Sequence, residues 1–206
     1  MEQLVNRAKS IVDLCWDSFS AKVGCGLISI NKEASMQLEF AYLLKQSLNL
    51  AIHQSNESVN IELETSINIP IGYKECDIVI KLSKEEDIRF IPIELKCHKQ
   101  FQPNGNPTGG YTQFRRHVHT DLYLLEQYAL LESFTTGISL VMTDFNGIVN
   151  RNGFWESNIC NGTTIQNGII ANNNYQQTEP TTLTNNYVFN WQQVGDFYFL
   201  KLEAND

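Results

Sequence analysis

Apolar residues recur at helical intervals through Leu4, Val5, Ala8, Ile11, Val12, Leu14, Cys15 and Phe19, and the glycine-bearing stretch Val23, Gly24, Cys25, Gly26 ends the run. This spacing predicts an N-terminal helix. A second helix is expected with Asn31 as its N-cap, Glu33 in its first turn, and an apolar stripe of Met36, Phe40, Leu43, Leu44 and Leu48 running toward Ile52. The periodicity then shortens: strands are expected over 59–69, 75–82 and 89–96, with a charged turn over 83–87. Residues 101–111 carry Pro103, Gly105, Pro107, Gly109 and Gly110 and predict a loop. A third helix is expected over about 113–132 with Phe114, Val118, Leu122, Leu125, Tyr128 and Ala129 inward, followed by an apolar strand over 138–143 opened by Gly137. The Asn-, Thr- and Gly-rich region 146–186, with apolar pairs such as Ile169 and Ile170, predicts loops and short strands, and 197–202 a closing strand. Helices followed by a meander of strands define an α/β class.

Two strands break their own pattern. Cys76-Asp77-Ile78-Val79-Ile80 and Ile91-Pro92-Ile93-Glu94-Leu95-Lys96 carry ionisable groups inside strand-forming apolar runs. Residues two apart on a strand share a face, so Glu94 and Lys96 project together, and Asp77 joins them if the two strands pair. An isolated Glu-x-Lys is ordinarily a solvated pair worth little. Here the nearly continuous apolar flank of Phe90, Ile91, Ile93 and Leu95 indicates a strand covered on both faces. Charges in such a strand are costly unless something compensates them. A divalent cation between Asp77 and Glu94 would do so, because a hard ion takes carboxylate oxygens and keeps places for water and a phosphate. Pro92, which has no N–H for a ladder, is expected to mark the beginning of its strand.

Composition narrows the picture. The 206 residues suit one domain spanning 1–206. With neither a long apolar run nor a basic-then-apolar N-terminus, no membrane partner and no secretory signal are expected, and the expected location is cytoplasmic. Five cysteines without a Cys-x-x-Cys pair argue against a disulfide framework or a zinc knuckle. A net charge of −8 opposes a generally basic nucleic-acid surface. Between Leu95 and Thr120, however, there is no Asp or Glu, while Lys96, Lys99, Arg115, Arg116, His98, His117 and His119 all occur there. A phosphate backbone would approach this stretch, with Lys99, Gln113, Arg115 and Arg116 as nucleic-acid contacts. His117 and His119 lie about 200° apart on a helix and are poorly placed to share one metal, so both are expected at the phosphate side or surface. Trp16, Trp155 and Trp191 read as core, and Tyr111 sits where a nucleobase could meet it.

The order of a helix bearing Glu33, an Asp77 strand, a Glu94-Leu95-Lys96 strand, a basic-flanked helix and a further strand resembles the PD-(D/E)XK superfamily of restriction-endonuclease-like nucleases over roughly residues 31–144. In that comparison the N-terminal helix and Asn-rich C-terminal region lie outside the core. Further similarity to uncharacterised bacterial members lies in Gln113-Phe114-Arg115-Arg116 leading to Asp121, Leu122, Leu125 and Glu126, and in the closing stretch with Trp191. The resemblance implies a restriction-endonuclease-like fold, with a mixed central sheet flanked by helices, and Mg²⁺- or Mn²⁺-dependent hydrolysis of phosphodiester bonds, in DNA with RNA also open, in a bacterial defence or restriction setting. It implies Asp77 and Glu94 as metal carboxylates, the Leu95 carbonyl as a further ligand, and Lys96 as the group that orients or deprotonates water. Cys76 stands where the family name has proline. Glu33 is preferred over Glu39 as the helix carboxylate; six residues turn a helix through about 600°, so the two cannot share a face. Two other readings remain open: a catalytically silent module of this fold that binds nucleic acid or protein, and an acidic component of a larger complex. Double-strand cleavage with one site per chain calls for a homodimer or two sequential nicks.

Overall fold

The computed structural model describes residues 1–150, 159–166, 170–171 and 181–204. Trp155 and Ile169 fall outside them. The chain order is α1 (Glu2–Gly24), α2 (Glu33–Ser47), a 3₁₀ turn (Leu48–Ala51), β1 (Glu57–Ile69), β2 (Gly72–Lys84), β3 (Asp87–His98), α3 (Tyr111–Ala129), β4 (Ile138–Thr143) and α4 (Asn146–Val149). Short strands β5 (Thr164–Ile165), β6 (Ile170–Ala171), β7 (Thr181–Thr182) and β8 (Tyr187–Val188) precede β9 (Gln192–Val194) and β10 (Phe197–Glu203). Six strands form one mixed sheet in the order β1-β2-β3-β4-β10-β9. Only the β3–β4 neighbours are parallel. Their connection is α3, as a parallel pair requires a long crossover.

Helices α1 and α2 cover one face. Trp16, Phe19, Phe40 and Leu44 pack there on Ile78, Ile80, Leu82, Ile91, Ile93, Leu95, Leu140 and Phe199. On the other face α3 lies against the sheet through Leu125 and Tyr128 and against the C-terminal region through Phe114, Val118 and Leu122. Trp16 and Trp191 are buried, as expected.

Three local expectations are corrected. Asn31 is exposed and Lys32 is the N-cap of α2. The Ser35 hydroxyl reaches back to accept the N–H groups of both Asn31 and Lys32, just ahead of the first turn. Pro92 lies within β3 rather than at its start. Phe90 uses its N–H and C=O toward Ser133 and Thr135, so Pro92, two residues on, turns its nitrogen to the same edge. That edge is vacant of a ladder between the Phe90–Phe134 bridge and the first β4 pair, Ile93–Ile138. Gly137 fills the gap: a Cβ there would lie 2.9 Å from the Pro92 ring, which only glycine avoids.

The third correction concerns α3, where Arg115 and His119 are buried rather than on a basic surface. Arg115 donates to the Gly147 carbonyl at 3.2 Å and His119 stacks on Phe189. The positions 115, 119, 122 and 126 form a second inward stripe, covered by residues that arrive much later in the chain. Local charge could not disclose that cover.

The β1–β2 ribbon changes face partway along. Val59 and Ile61 pack into the α1/α2 layer, whereas Ile67 and Ile69, of the same parity, pack beneath α3. On β2, Ile78 and Cys76 divide in the same way. Strict alternation would keep each set on one face. The switch occurs at Glu64, which has φ of +49°, a left-handed conformation unusual for a residue with a side chain. In register Glu64 stands opposite Asp77, between the pairs Leu63–Ile78 and Thr65–Cys76.

Candidate active site

The β2–β3 ladder runs from Lys84–Asp87 to Ile78–Ile93 and stops there. One step further the Leu95 N–H donates to the Asp77 carboxylate, at 2.6 Å, instead of to a β2 carbonyl. The strands fork, and the candidate residues occupy the fork. Glu94 and Lys96 project toward α3, since Ile93 and Leu95 between and beside them pack toward α1 and α2.

Helix α3 runs back along β3, so its earlier turns meet the later residues of the strand. Tyr128 donates to Glu94 Oε1 at 3.3 Å. Seven residues earlier, two helical turns away on the same face, Asp121 lies 3.4 Å from the Lys96 ammonium. Lys96 also donates to its neighbour's carbonyl, Leu95 O, at 2.9 Å. From the opposite layer, Glu33 at the first turn of α2 accepts from Lys96 Nζ and from the Cys97 N–H, both at 3.3 Å. Because β2 has left β3 at this point, a carboxylate from one helical layer reaches a lysine on the other face. Gln37, one turn after Glu33, donates to the Asp77 carbonyl at 2.9 Å and to Glu64 at 2.7 Å, tying the fork to the face change.

Four carboxyl groups therefore surround one ammonium. Glu94 is nearly inaccessible, and burial, followed by the charges of Asp121 and Asp77, pushes its carboxyl well above the usual range. A hydrogen bond from the Asp77 side chain adds a smaller part of that rise. Burial raises Asp121 to about 8, against the pull of Lys96. Burial likewise raises Glu33. For Lys96, burial alone would favour the neutral amine, but Asp121, Glu33, Asp77 and Glu94 reverse that and hold it as an ammonium. The neighbouring Cys97 thiol is pushed up to about 12 by burial and has no thiolate character.

The structure brings together Asp77, Glu94, Lys96 and Glu33, and turns the Leu95 carbonyl to the same place. Glu39, six residues along α2, is not among the contacts of this cluster. Of the expected nucleic-acid contacts, Gln113 is exposed and Arg116 half-buried. Arg115 is buried, and Lys99 is engaged by Asp144 at 2.7 Å and lies 4.2 Å over the Phe197 ring. Sequence reasoning missed Asp121 as a site residue. Its signal was present: Phe114, Val118, Asp121, Leu125 and Tyr128 follow helical spacing, so a charge occupies a core position of α3 just as Asp77 and Glu94 do on their strands.

Among the described residues no group of three or more His, Cys, Asp or Glu side chains is arranged to hold a metal ion. Asp77, Glu94 and the Leu95 carbonyl offer oxygen donors alone, a set suited to a hard cation that retains most of its water, as Mg²⁺ does, and ill suited to a cation wanting nitrogen or sulfur ligands. No helix among the described residues is long and apolar enough to cross a membrane. No family model, curated protein or solved structure was found to match the chain.

Proposed function

We propose that the fork is the active site of a Mg²⁺- or Mn²⁺-dependent nuclease with a restriction-endonuclease-like fold, acting on phosphodiester bonds in DNA. The observation that carries the reading is the meeting of Asp77, whose carboxylate accepts the Leu95 N–H at 2.6 Å, with buried Glu94 and with Lys96, flanked by Asp121 and Glu33. Asp77, Glu94 and the Leu95 carbonyl would hold the cation, which when bound supplies positive charge against the phosphate oxygens. Lys96, kept as an ammonium, orients the attacking water and offers a donor to the phosphate. Glu33 accepts from that ammonium and fixes its height above the sheet. Asp77 has a second role at the fork, since its carboxylate takes the Leu95 N–H and so sets the carbonyl of the same residue.

The test is cleavage of plasmid DNA and of RNA with and without Mg²⁺, comparing the parent with Asp77→Asn. Metal-dependent cutting lost in the variant supports the reading; equal cutting by both contradicts it. A second reading, a silent module of the same fold that binds a protein, is favoured by the burial of Arg115 and the pairing of Lys99 with Asp144, which leave less basic surface than the sequence suggests. A parent that neither cuts nor binds nucleic acid would select it.

A further inference from the structure

The Lys96 ammonium has two carboxylate partners from opposite sides of the sheet. Glu33 comes from α2 and is 40% exposed in its side chain, so water reaches it; Asp121 comes from α3 and its side chain is 8% exposed. An ion pair open to solvent holds a flexible side chain weakly, whereas a buried one fixes it. Asp121 Oδ2 finds no hydrogen-bond donor among the described residues within normal limits; its relation to Lys96 is an ion pair at 3.4 Å. Burying an aspartate in the apolar stripe of α3, between Val118 and Leu125, costs the fold unless the charge is put to use. Asp121 faces Lys96, and its charge also bears on Glu94.

We propose that Asp121 is a positioning residue: it draws the Lys96 ammonium toward α3 and holds it beside the cation site without itself binding the cation. This rests on the nuclease reading. Lysine has four rotatable side-chain bonds, and an ammonium held from one side only by Glu33 would swing toward solvent. With Asp121 on the other side, Lys96 is clamped between two helices, and the water it orients is placed by both layers of the fold.

Asp121→Asn keeps the shape and removes the charge; Asp121→Ser serves if the amide destabilises α3. Four measurements decide the matter: single-turnover nicking of supercoiled plasmid DNA with Mg²⁺, Mg²⁺ affinity by calorimetry, nicking by Lys96→Ala with and without Asp121→Asn, and the ¹⁵N NMR signal of the Lys96 ammonium. A positioning role predicts nicking slowed about 10- to 100-fold with Mg²⁺ affinity within about twofold of the parent, no further loss when Asp121→Asn is added to Lys96→Ala, and disappearance of a slowly exchanging ammonium signal. Parental nicking in Asp121→Asn overturns the proposal. So does a loss of Mg²⁺ affinity as deep as that of Asp77→Asn, which would make Asp121 a ligand, or losses that multiply in the double variant. A parent that nicks nothing overturns the nuclease reading, and the ammonium signal then still decides the clamp: lost in Asp121→Asn it upholds the clamp, unchanged it overturns it.

Discussion

Glu57 and Glu94 are both buried glutamates on strands of the same sheet, and the protein treats them in opposite ways. At the start of β1 the Glu57 carboxylate accepts from the His53 and Gln54 N–H groups at 2.9 and 3.2 Å and from Arg7 at 2.7 Å, with Lys84 at 3.6 Å. The His53 amide and then Arg7 hold it down to about 2. Glu94 accepts one phenolic hydroxyl and faces two further acids. The same chain that supplied Glu57 with four donors left Glu94 short of them. Glu126 repeats the first pattern, taking the amides and side chains of Thr184 and Asn185 and the Tyr187 hydroxyl. A carboxylate buried for stability is met with donors; one buried without them is a vacancy for positive charge.

The contrast breaks most visibly under charge removal. Glu94→Gln should abolish metal-dependent cleavage, on the order of 10²–10³-fold or more, while leaving the metal-free protein as stable as the parent or more so. Glu57→Gln should lower the melting temperature and leave the cleavage rate per folded molecule unchanged. Melting curves and single-turnover assays on both variants check this; matching signs in the two measurements would dissolve the distinction. Arg115 sides with Glu57 as a buried charge serving the fold. Arg115→Ala should cost about 3 kcal/mol of stability in chemical denaturation, and the half-buried Arg116→Ala well under about 1 kcal/mol.

Acidity separates the two regions again. Without a cation folded Asp121 keeps its proton up to about 8, far above an unfolded aspartate, whereas the positive charge of a bound cation would favour the ionised form that pairs with Lys96; metal-free, the folded state binds more protons across that window and loses stability as pH rises through it. Glu57 acts at the other end: its folded carboxyl titrates at about 2, the unfolded state binds more protons between about 4.5 and 2, and stability is lost as pH falls through that range. Denaturation curves across pH should therefore peak at about pH 4 without metal, where the gain from Glu57 ends and the loss from Asp121 begins. Saturating Mg²⁺ should flatten the alkaline limb alone. The smallest effect is expected at Glu64, where glycine relieves a left-handed backbone: Glu64→Gly should stabilise the metal-free protein by about 1 kcal/mol, less the Gln37 hydrogen bond it forfeits.

What the sequence disclosed follows from which physics is local. Strand β4 is found over 138–143 as read, because an unbroken apolar run after a glycine has one solution in a covered sheet. Asp77, Glu94 and Lys96 stood out because each interrupts such a run. Asp121 interrupts one too, but a helical stripe tolerates occasional charges at its margins, and the reading followed the apolar members only. Arg115 was misplaced because its cover, around Gly147 and Phe189, is remote in sequence. The face change had no signature, since nothing about a glutamate in a β-prone run announces a positive φ.

That face change divides the ribbon between two masters. Residues of β1 and β2 on one side of Glu64 and Asp77 share the fate of the α1/α2 layer, those on the other the fate of α3 with Ile67, Ile69 and Cys76. Amide exchange along each strand should therefore show a step at this seam rather than a smooth gradient, with the slower half on the side of the larger core. Asp77 sits on the seam itself, so the carboxylate expected to hold the cation belongs fully to neither half, and its placement reports whether the two are docked.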